Sequence, residues 1–319
     1  MVADASPKTL QQAIKHFADA DVCLAEMVRL RWPDGVVRCP TCGSAKVSFL
    51  RSRRVWECSE KHAKRQFSVK VGTIMEDSPI GLDKWLVAMW LIANAKNGIS
   101  SYELARAIGV TQKSAWFMLH RIRLAMQDET GGKISGHVEV DETYIGGKAR
   151  NMHVGRRNRI IKGTGGMGKV AVMGLLSRHG NGSHSTVRVS VVENNRKHTL
   201  QAKVRGNVRR GSKVYTDELL SYDGLSNDYI HNVINHAEKY VDGQIHTNGC
   251  ENFWSLLKRS LKGTYVSVEP FHLFRYLDEQ AFRFNSRKMT DAARFALAAA
   301  SVFGKRLTFN QLTAADATC

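Results

Sequence analysis

The sequence HVEVDETYI, residues 137–145, decides the fold of the second half of the chain. Its alternation of apolar and polar residues predicts a β-strand with one buried face. Further elements are predicted outward from it: strands at 170–176, 186–192, 212–217 and 229–233, and helices at 198–208, 248–261, 270–285 and 290–303. The order of strands and helices indicates an α/β domain with a mixed sheet.

Three carboxylates of this half stand out by their positions. Asp141 lies inside the first strand, where a carboxylate is costly unless it is paired or binds a metal. Asp217 ends another strand, and Glu251 begins a helix near its positive dipole end. Together they could hold two divalent cations, Mg²⁺ or Mn²⁺, which activate an attacking oxygen and stabilise a leaving one in phosphoryl transfer. Taken singly, Asp217 also fits a turn residue and Glu251 a helix-start residue.

Two neighbouring residues are weighed against this set. Glu142 follows Asp141 directly, so strand alternation predicts that it points to the opposite face, and it is a weaker candidate ligand. Lys258 lies seven residues, or two helical turns, after Glu251 and therefore on the same helix face.

The net charge predicts a polyanionic partner. The chain has 319 residues, 47 Lys and Arg against 29 Asp and Glu, and a net charge of +18. Residues 143–216 contain sixteen of the basic residues and one acidic residue. Nucleic acid is the leading candidate partner, because neutralised phosphates release counterions, and a membrane surface or ribosomal RNA is the alternative. The 43% hydrophobic content excludes a disordered chain. The sequence has neither an apolar run of about 20 residues nor a signal peptide, so we expect an intracellular, nucleoid-associated protein.

A second motif predicts a structural zinc site. Cys39 and Cys42 form a CxxC turn, and Cys58 with His62 follows sixteen residues later. Two ligand pairs on tight turns give the tetrahedral sulfur and nitrogen site that zinc prefers, with all four positions filled. The alternative is a redox CxxC pair, which leaves Cys58 unexplained.

Two basic regions are candidate DNA contacts. Residues 100–124 have the pattern of a helix-turn-helix, with Lys113 and Arg121 predicted on the exposed face of its second helix; the alternative is an ordinary helical hairpin. Residues 148–169 predict a mobile, glycine-rich and basic loop that includes Lys148, Arg156 and Arg157. Its GTGGMGK sequence is not a phosphate-binding loop, because no Ser or Thr follows the lysine and a strand stands where a helix must begin.

These motifs together resemble the DDE transposases of bacterial insertion sequences, specifically the zinc-ribbon, ISXO-like group. The matching stretches are CPTCGS (39–44), QFSVKVGTIMEDSPIGLDKW (66–85), VEVDETYIGGK (138–148), VYTDELLSY (214–222), HTNGCENFWSLLKRSLKGTY (246–265) and YLDEQAFRFNSR (276–287). The resemblance implies an RNase H-like catalytic domain with Asp141, Asp217 and Glu251 as the metal-binding triad. It also implies that Lys258, with Arg259 beside it, contacts DNA near the scissile phosphate.

The third acidic position varies within this group, and Asn248 lies close to Glu251. We assign Glu251 because a carboxylate binds a hard cation better than an amide does. The expected organisation is an N-terminal helix (1–35), a zinc ribbon (36–76), a helix-turn-helix-like DNA-binding region (80–130), the RNase H-like catalytic domain (136–287) and a C-terminal helix and tail (288–319).

The resemblance implies a transposase that cuts the ends of its insertion sequence and joins the 3′ ends to target DNA. Because two ends must be handled together, we expect a homo-oligomer on paired DNA ends. Two other classes share parts of the pattern. One is a zinc-ribbon, helix-turn-helix regulator with an inactive RNase H-like domain, and the other is a nuclease of the same fold that releases its cut products.

Overall fold

The strand predicted at residues 137–145 forms, and it lies at the centre of a mixed sheet. The computed structural model describes residues 7–128, 131–147, 152–161, 168–178, 184–217, 219–234 and 246–314, without the side chains of residues 156, 160 and 234. The chain divides into two compact units, Met1–Gln127 with Met289–Cys319, and Asp128–Lys288.

The first unit combines a small sheet with helices. Its strands are β1 (Val47–Leu50), β2 (Val55–Cys58) and β3 (Gln66–Phe67), and its helices are α1 (Leu10–His16), α2 (Ala20–Arg31), α3 (Leu82–Asn94), α4 (Ser101–Ile108), α5 (Gln112–Ala125), α10 (Asp291–Ala300) and α11 (Phe309–Thr313). The strands pair antiparallel in the order β1-β2-β3. The C-terminal helix α10 belongs to this core, because Phe295 packs between Phe17 and Trp90 with ring centroids 5.3 and 5.4 Å away.

The N-terminal helix and the helix-turn-helix pattern predicted for the first unit can be compared with the structure. The single N-terminal helix expected within residues 1–35 is two helices, since Phe17 is buried and the Asp19 carboxylate accepts hydrogen bonds from the first turn of α2. The helix-turn-helix pattern becomes α4 and α5. Gly109 ends α4 in a left-handed conformation (φ 62°), and the Thr111 side chain caps α5.

The second unit is an α/β domain. Its strands are β4 (His137–Ile145), β5 (Val170–Ser177), β6 (Thr186–Val192), β7 (Lys213–Asp217) and β8 (Ile230–Ile234), and its helices are α6 (Val154–Ile160), α7 (Lys197–Asn207), α8 (Asn248–Ser260) and α9 (Leu273–Asn285). The strand order is β6-β5-β4-β7-β8. β5 runs antiparallel to β4 and β6, whereas β7 runs parallel to β4 and β8.

Helices cover both faces of this sheet. Val138 and Val140 of β4 pack in one core with Leu200 and Val204 of α7. The opposite face packs against α8 and α9, through a second core that includes Val172 of β5. The intervening residues of β4 therefore face α8, which places their side chains where a carboxylate site can form.

The basic segment after β4 differs in part from the expected loop. Residues 154–160 form the helix α6. The rest of the expected loop at residues 148–151 and 162–167, including Lys148, lies outside the described residues. In the described part of the chain, no helix has both the length and the apolar character needed to cross a membrane.

Candidate active site and zinc site

The first two predicted carboxylates meet at the ends of neighbouring parallel strands. β4 and β7 are paired up to Glu139 and Tyr215, so Asp141 and Asp217 occupy equivalent positions two residues further on. Their carboxylate oxygens lie within 4.8 Å of each other. The Asp217 Oδ1 atom accepts a hydrogen bond from the backbone N–H of Leu219, which fixes the carboxylate at the strand end.

Glu142 joins this pair, contrary to the prediction that it points away. Its carboxylate lies within the same 4.8 Å group as those of Asp141 and Asp217. Strand alternation fixes the direction of a Cβ atom but not the end of a long side chain. The pairing of β4 with β7 stops at Glu139, so the strands are no longer paired where Glu142 reaches the cluster.

The helix α8 brings the third predicted carboxylate to the same region. Glu251 is exposed in the first turn of α8 and lies outside the 4.8 Å group. Trp254, one turn further on the same face, donates a hydrogen bond of 2.9 Å to Oδ2 of Asp141. Gly174 of β5 leaves room for that indole, because a Cβ there would lie 2.7 Å from the Trp254 ring. Asn248 is the first residue of α8 and is exposed.

A buried glutamate that we did not predict holds the start of α8. Glu139 is 1% exposed, and its two oxygens accept hydrogen bonds from Nε of Arg178 at 2.6 Å and the backbone N–H of Cys250 at 3.0 Å. Arg178 also donates to the carbonyl of His246, just before the helix. The sequence signal was an acidic residue two positions before Asp141, on the same strand face.

Burial raises the pKa of two carboxyls in the acidic cluster. The pKa of Asp141 is raised to about 6, chiefly by burial and also by the nearby carboxylates of Asp217 and Glu251, while the hydrogen bonds from Trp254 and the Glu142 backbone oppose the shift. Burial also raises the pKa of Glu142 to about 8, with contributions from Asp217 and Asp141. The Oε1 atom of Glu142 is buried and has no hydrogen-bond partner within the described structure. Clustered carboxylate oxygens with an unpartnered acceptor fit a hard divalent cation.

The second site brings together the four predicted zinc ligands. The Sγ atoms of Cys42 and Cys58 are 3.6 Å apart, and Sγ of Cys39 is 3.4 Å from Nε2 of His62. All four ligand atoms lie within 4.8 Å of one another. Tetrahedral zinc with Zn–S bonds of about 2.3 Å separates two sulfurs by about 3.8 Å, so this geometry fits structural zinc.

The pKa of the Cys39 thiol is lowered, which favours the thiolate form that binds metals. Burial raises its pKa, but hydrogen bonds from the backbone N–H groups of Cys42 and Thr41 outweigh burial and bring the pKa to about 7. On the other side of the site, Nδ1 of His62 lies 2.7 Å from the carbonyl of Ala63. This contact orients the ring with Nε2 toward the thiols.

The predicted DNA contacts have different surroundings. Lys258 and Arg259 are exposed on α8, and Lys113 is exposed on α5. Arg157 is half-buried on α6, while the side chain of Arg156 lies outside the described structure.

The prediction that Arg121 is exposed to DNA is wrong. Its side chain is 6% exposed, and its guanidinium donates to the backbone carbonyls of Leu307 and Glu76 at 3.0 and 2.9 Å. The cause is the C-terminal segment, which covers this face of α5. Arg121 is therefore a buried residue of the first unit that bonds two backbone carbonyls.

Two family models match the chain. Residues 133–285 match the ISXO2-like transposase domain, and residues 18–62 match the transposase zinc-ribbon domain. The chain is similar to an uncharacterised protein in the transposable element ISH50 of Halobacterium salinarum, with 29% identity over 260 residues, covering 78% of this chain and 85% of that protein. It is also similar to an uncharacterised transposase-like protein of Haemophilus influenzae, with 35% identity over 100 residues, covering 31% of this chain and 80% of that protein. The chain therefore belongs to the ISXO2-like DDE transposases of insertion sequences, with a zinc-ribbon domain ahead of the transposase domain.

Proposed function

We propose that this transposase cuts DNA at the ends of its insertion sequence and joins the 3′ ends to target DNA. In the first step, water displaces the 3′ oxygen of a phosphodiester and leaves a 3′-hydroxyl. In the second step, that hydroxyl attacks a target phosphodiester and displaces a target 3′ oxygen. Both steps are in-line displacements at phosphorus, so one site can perform them in turn.

The convergence of Asp141 and Asp217 within 4.8 Å, beside the helix that carries Glu251, supports this proposal most directly. Asp141 and Asp217 would hold a shared divalent cation and Glu251 a second one, with Glu142 as a further ligand. Two Mg²⁺ or Mn²⁺ ions bound there would supply activation of the attacking oxygen and stabilisation of charge on the leaving oxygen.

Other residues orient these groups and the DNA. Trp254 fixes one oxygen of Asp141, and Glu139 holds the start of α8 so that Glu251 faces the strand ends. Lys258 and Arg259 lie on the same helix and would bind phosphates next to the cut. Structural zinc on Cys39, Cys42, Cys58 and His62 would stabilise the ribbon, and we assign the ribbon and the α4–α5 region to recognition of the element ends, in an oligomer that pairs two ends.

A strand-transfer assay on DNA carrying the element ends, with Mg²⁺ or Mn²⁺, tests the proposal. We expect wild type to join ends, and Asp141→Ala, Asp217→Ala and Glu251→Gln to join none. The control is Glu269→Gln, which removes an exposed carboxylate outside the cluster and leaves joining unchanged. DNA binding without joining would favour a regulator, and cleavage without joining would favour a nuclease. Full joining by Asp141→Ala would reject the assigned site.

A further inference from the structure

The basic residues of the second unit are not all close to the acidic cluster: some lie at the opposite ends of the same strands. β7 begins at Lys213 and ends at Asp217, and it runs parallel to β4. The acidic cluster therefore lies at the ends of these strands, whereas Lys213 lies at their beginnings. Five strand residues span about 13 Å between the first and last Cα atoms, so these are separate surfaces.

Several exposed basic residues gather where these strands begin; we call them the basic edge. They are Lys133, Lys203, Arg209, Arg210 and Lys213. Backbone hydrogen bonds hold this region together: the N–H of Arg209 donates to the carbonyl of Ile134, and that of Lys213 donates to Gly136, both at 2.8 Å. The basic edge is thus a defined surface made from the end of α7, the turn before β7 and the residues preceding β4.

The charge of the basic edge is scarcely neutralised within the protein. Asp228 is paired with both Arg205 at 2.7 Å and Arg210 at 3.1 Å. In the part of the chain that the structure describes, Lys203, Arg209 and Lys213 form no ion pair. Repulsion among clustered cations destabilises the fold unless an outside polyanion neutralises them.

Helix stability explains only part of this cluster. The ammonium of Lys133 donates to the carbonyl of Arg205 at 2.7 Å in the last turn of α7, where a cation is favourable. Lys203 lies before the last turn of α7, so it gains little from the helix dipole. Arg210 follows the helix and is accounted for by its ion pair with Asp228. Arg209 and Lys213 also follow the helix, and among the described residues their side chains form no ion pair, so helix stability does not explain them.

We propose that the basic edge binds the phosphate backbone of a second DNA duplex, distinct from the duplex whose phosphate lies at the carboxylates. Because the two surfaces lie at opposite ends of the same strands, a phosphate held at one is not presented to the other. The exposed, flexible Lys and Arg side chains suit contact with phosphates independent of base sequence. The inference extends the proposed function but depends only on DNA binding, not on catalysis.

The test compares the wild-type transposase with Lys203→Glu/Arg209→Glu/Lys213→Glu. A short element-end duplex is bound first, and binding of a labelled, unrelated duplex to that complex is then measured across a salt series. We expect the variant to bind the unrelated duplex at least about tenfold more weakly, with the salt dependence reduced by about three phosphate contacts. Binding and cutting of the short end duplex should stay within about twofold of wild type.

The control is Lys8→Glu/Lys15→Glu/Lys96→Glu, which makes the same charge change at exposed positions of the first unit. Equal weakening by the control would show a general charge effect and overturn the proposal. Unchanged binding of the unrelated duplex, or equal loss of the short end duplex, would also overturn it. If neither protein cuts DNA but the binding difference persists, the proposed function fails while the basic edge stands.

Discussion

Trp254 and Asp141 are joined by a hydrogen bond of 2.9 Å between the indole nitrogen and Oδ2, although they are 113 residues apart in sequence. The backbone N–H of Glu142 holds the other oxygen of Asp141 at 2.8 Å. The orientation of this carboxylate is therefore fixed by the protein before any cation or DNA arrives.

Trp254→Phe should remove this hydrogen bond while keeping an aromatic ring against Gly174. The bond stabilises the charged form of Asp141, so its loss should raise the pKa of Asp141 further above about 6. We expect the pH midpoint of metal-dependent cleavage to move upward and the free energy of unfolding to fall by about 1–2 kcal/mol. Leu200→Ala, a buried change on α7 in the core on the opposite face of the sheet, should leave the pH midpoint in place.

Glu139→Ala should destabilise the second unit by about 3–5 kcal/mol, because it removes the carboxylate from the guanidinium of Arg178, whose side chain is only 11% exposed. Glu139→Gln should lower the free energy of unfolding by less, since its amide oxygen can still accept a hydrogen bond from the backbone N–H of Cys250.

Gly249→Ala tests the same contact from the helix side, because its Cβ would lie 2.7 Å from Oε2 of Glu139. We expect Gly249→Ala to have a lower unfolding temperature and to bind divalent cations more weakly than wild type.

A matched glycine change provides the control for that experiment. Gly206 lies in α7, and a Cβ added there meets nothing within 4 Å. Gly206→Ala should stabilise the protein by up to about 1 kcal/mol and leave cation affinity unchanged. Equal cation affinities for Gly249→Ala and wild type would contradict a positioning role for Glu139.

The metal-free protein should lose stability as pH rises. Folding raises the pKa of Glu142 from 4.5 to about 8, so its stabilising contribution is fully present below pH 4.5 and is lost as pH rises through about 8. Asp141 acts in the same direction, between 3.8 and about 6. Thermal unfolding from pH 5 to 8 should show this decline, and Glu142→Gln should make it shallower.

Cation binding should release protons from the same groups. At neutral pH, titration calorimetry with Mg²⁺ or Mn²⁺ in buffers of different ionisation enthalpy should detect net proton release. Glu142→Gln should release fewer protons than wild type. Identical release by the two proteins would show that Glu142 does not face the bound cation.

Cys42→Ser should abolish zinc binding, measured as zinc per chain, and lower the unfolding temperature of the first unit. Its Sγ lies 3.6 Å from that of Cys58, and loss of one ligand leaves the tetrahedral site open. Cys23→Ser is the control, because Cys23 is a buried thiol that donates to the carbonyl of Phe17. Zinc retained by Cys42→Ser and lost from Cys23→Ser would reject the assigned ligands.

Lys113→Ala should act mainly on DNA binding, whereas Arg121→Ala should act mainly on the free energy of unfolding. Lys113 is exposed, with its ammonium 4.9 Å from the centre of the Phe309 ring, so its loss should weaken DNA binding and cost at most about 1 kcal/mol of unfolding free energy. Arg121 is buried with two backbone carbonyls as acceptors, so its loss should cost about 2–4 kcal/mol of unfolding free energy. Unfolding curves and DNA-binding isotherms for both variants separate the two roles.

Local patterns were sufficient to predict the strands, the clustering of the four cysteine and histidine side chains, and the positions of Asp141 and Asp217. Alternation places Asp141 in β4, and the spacing of Cys39, Cys42, Cys58 and His62 limits them to one compact site. These features depend on residues close in sequence or on periodicities that survive folding.

The remaining features depend on contacts between distant segments. Arg121 was assigned to an exposed face, but Leu307, 186 residues later, covers it. Glu142 was expected on the strand face opposite Asp141. Its long side chain reaches the cluster nevertheless, at a point where β4 and β7 are no longer paired. The role of Glu139 depends on the packing of α8 against β4, because its partner Cys250 is 111 residues away in sequence.

That long separation also sets the order in which the site is completed during synthesis. A ribosome adds about 5–20 residues per second. A nascent chain therefore carries β4 for roughly 5 to 20 s before α8 is made. Over that interval it contains Asp141, but Trp254 and Glu251 do not yet exist. A chain interrupted before residue 246 has the two aspartates without the helix that orients them, so a fragment lacks a finished cation site.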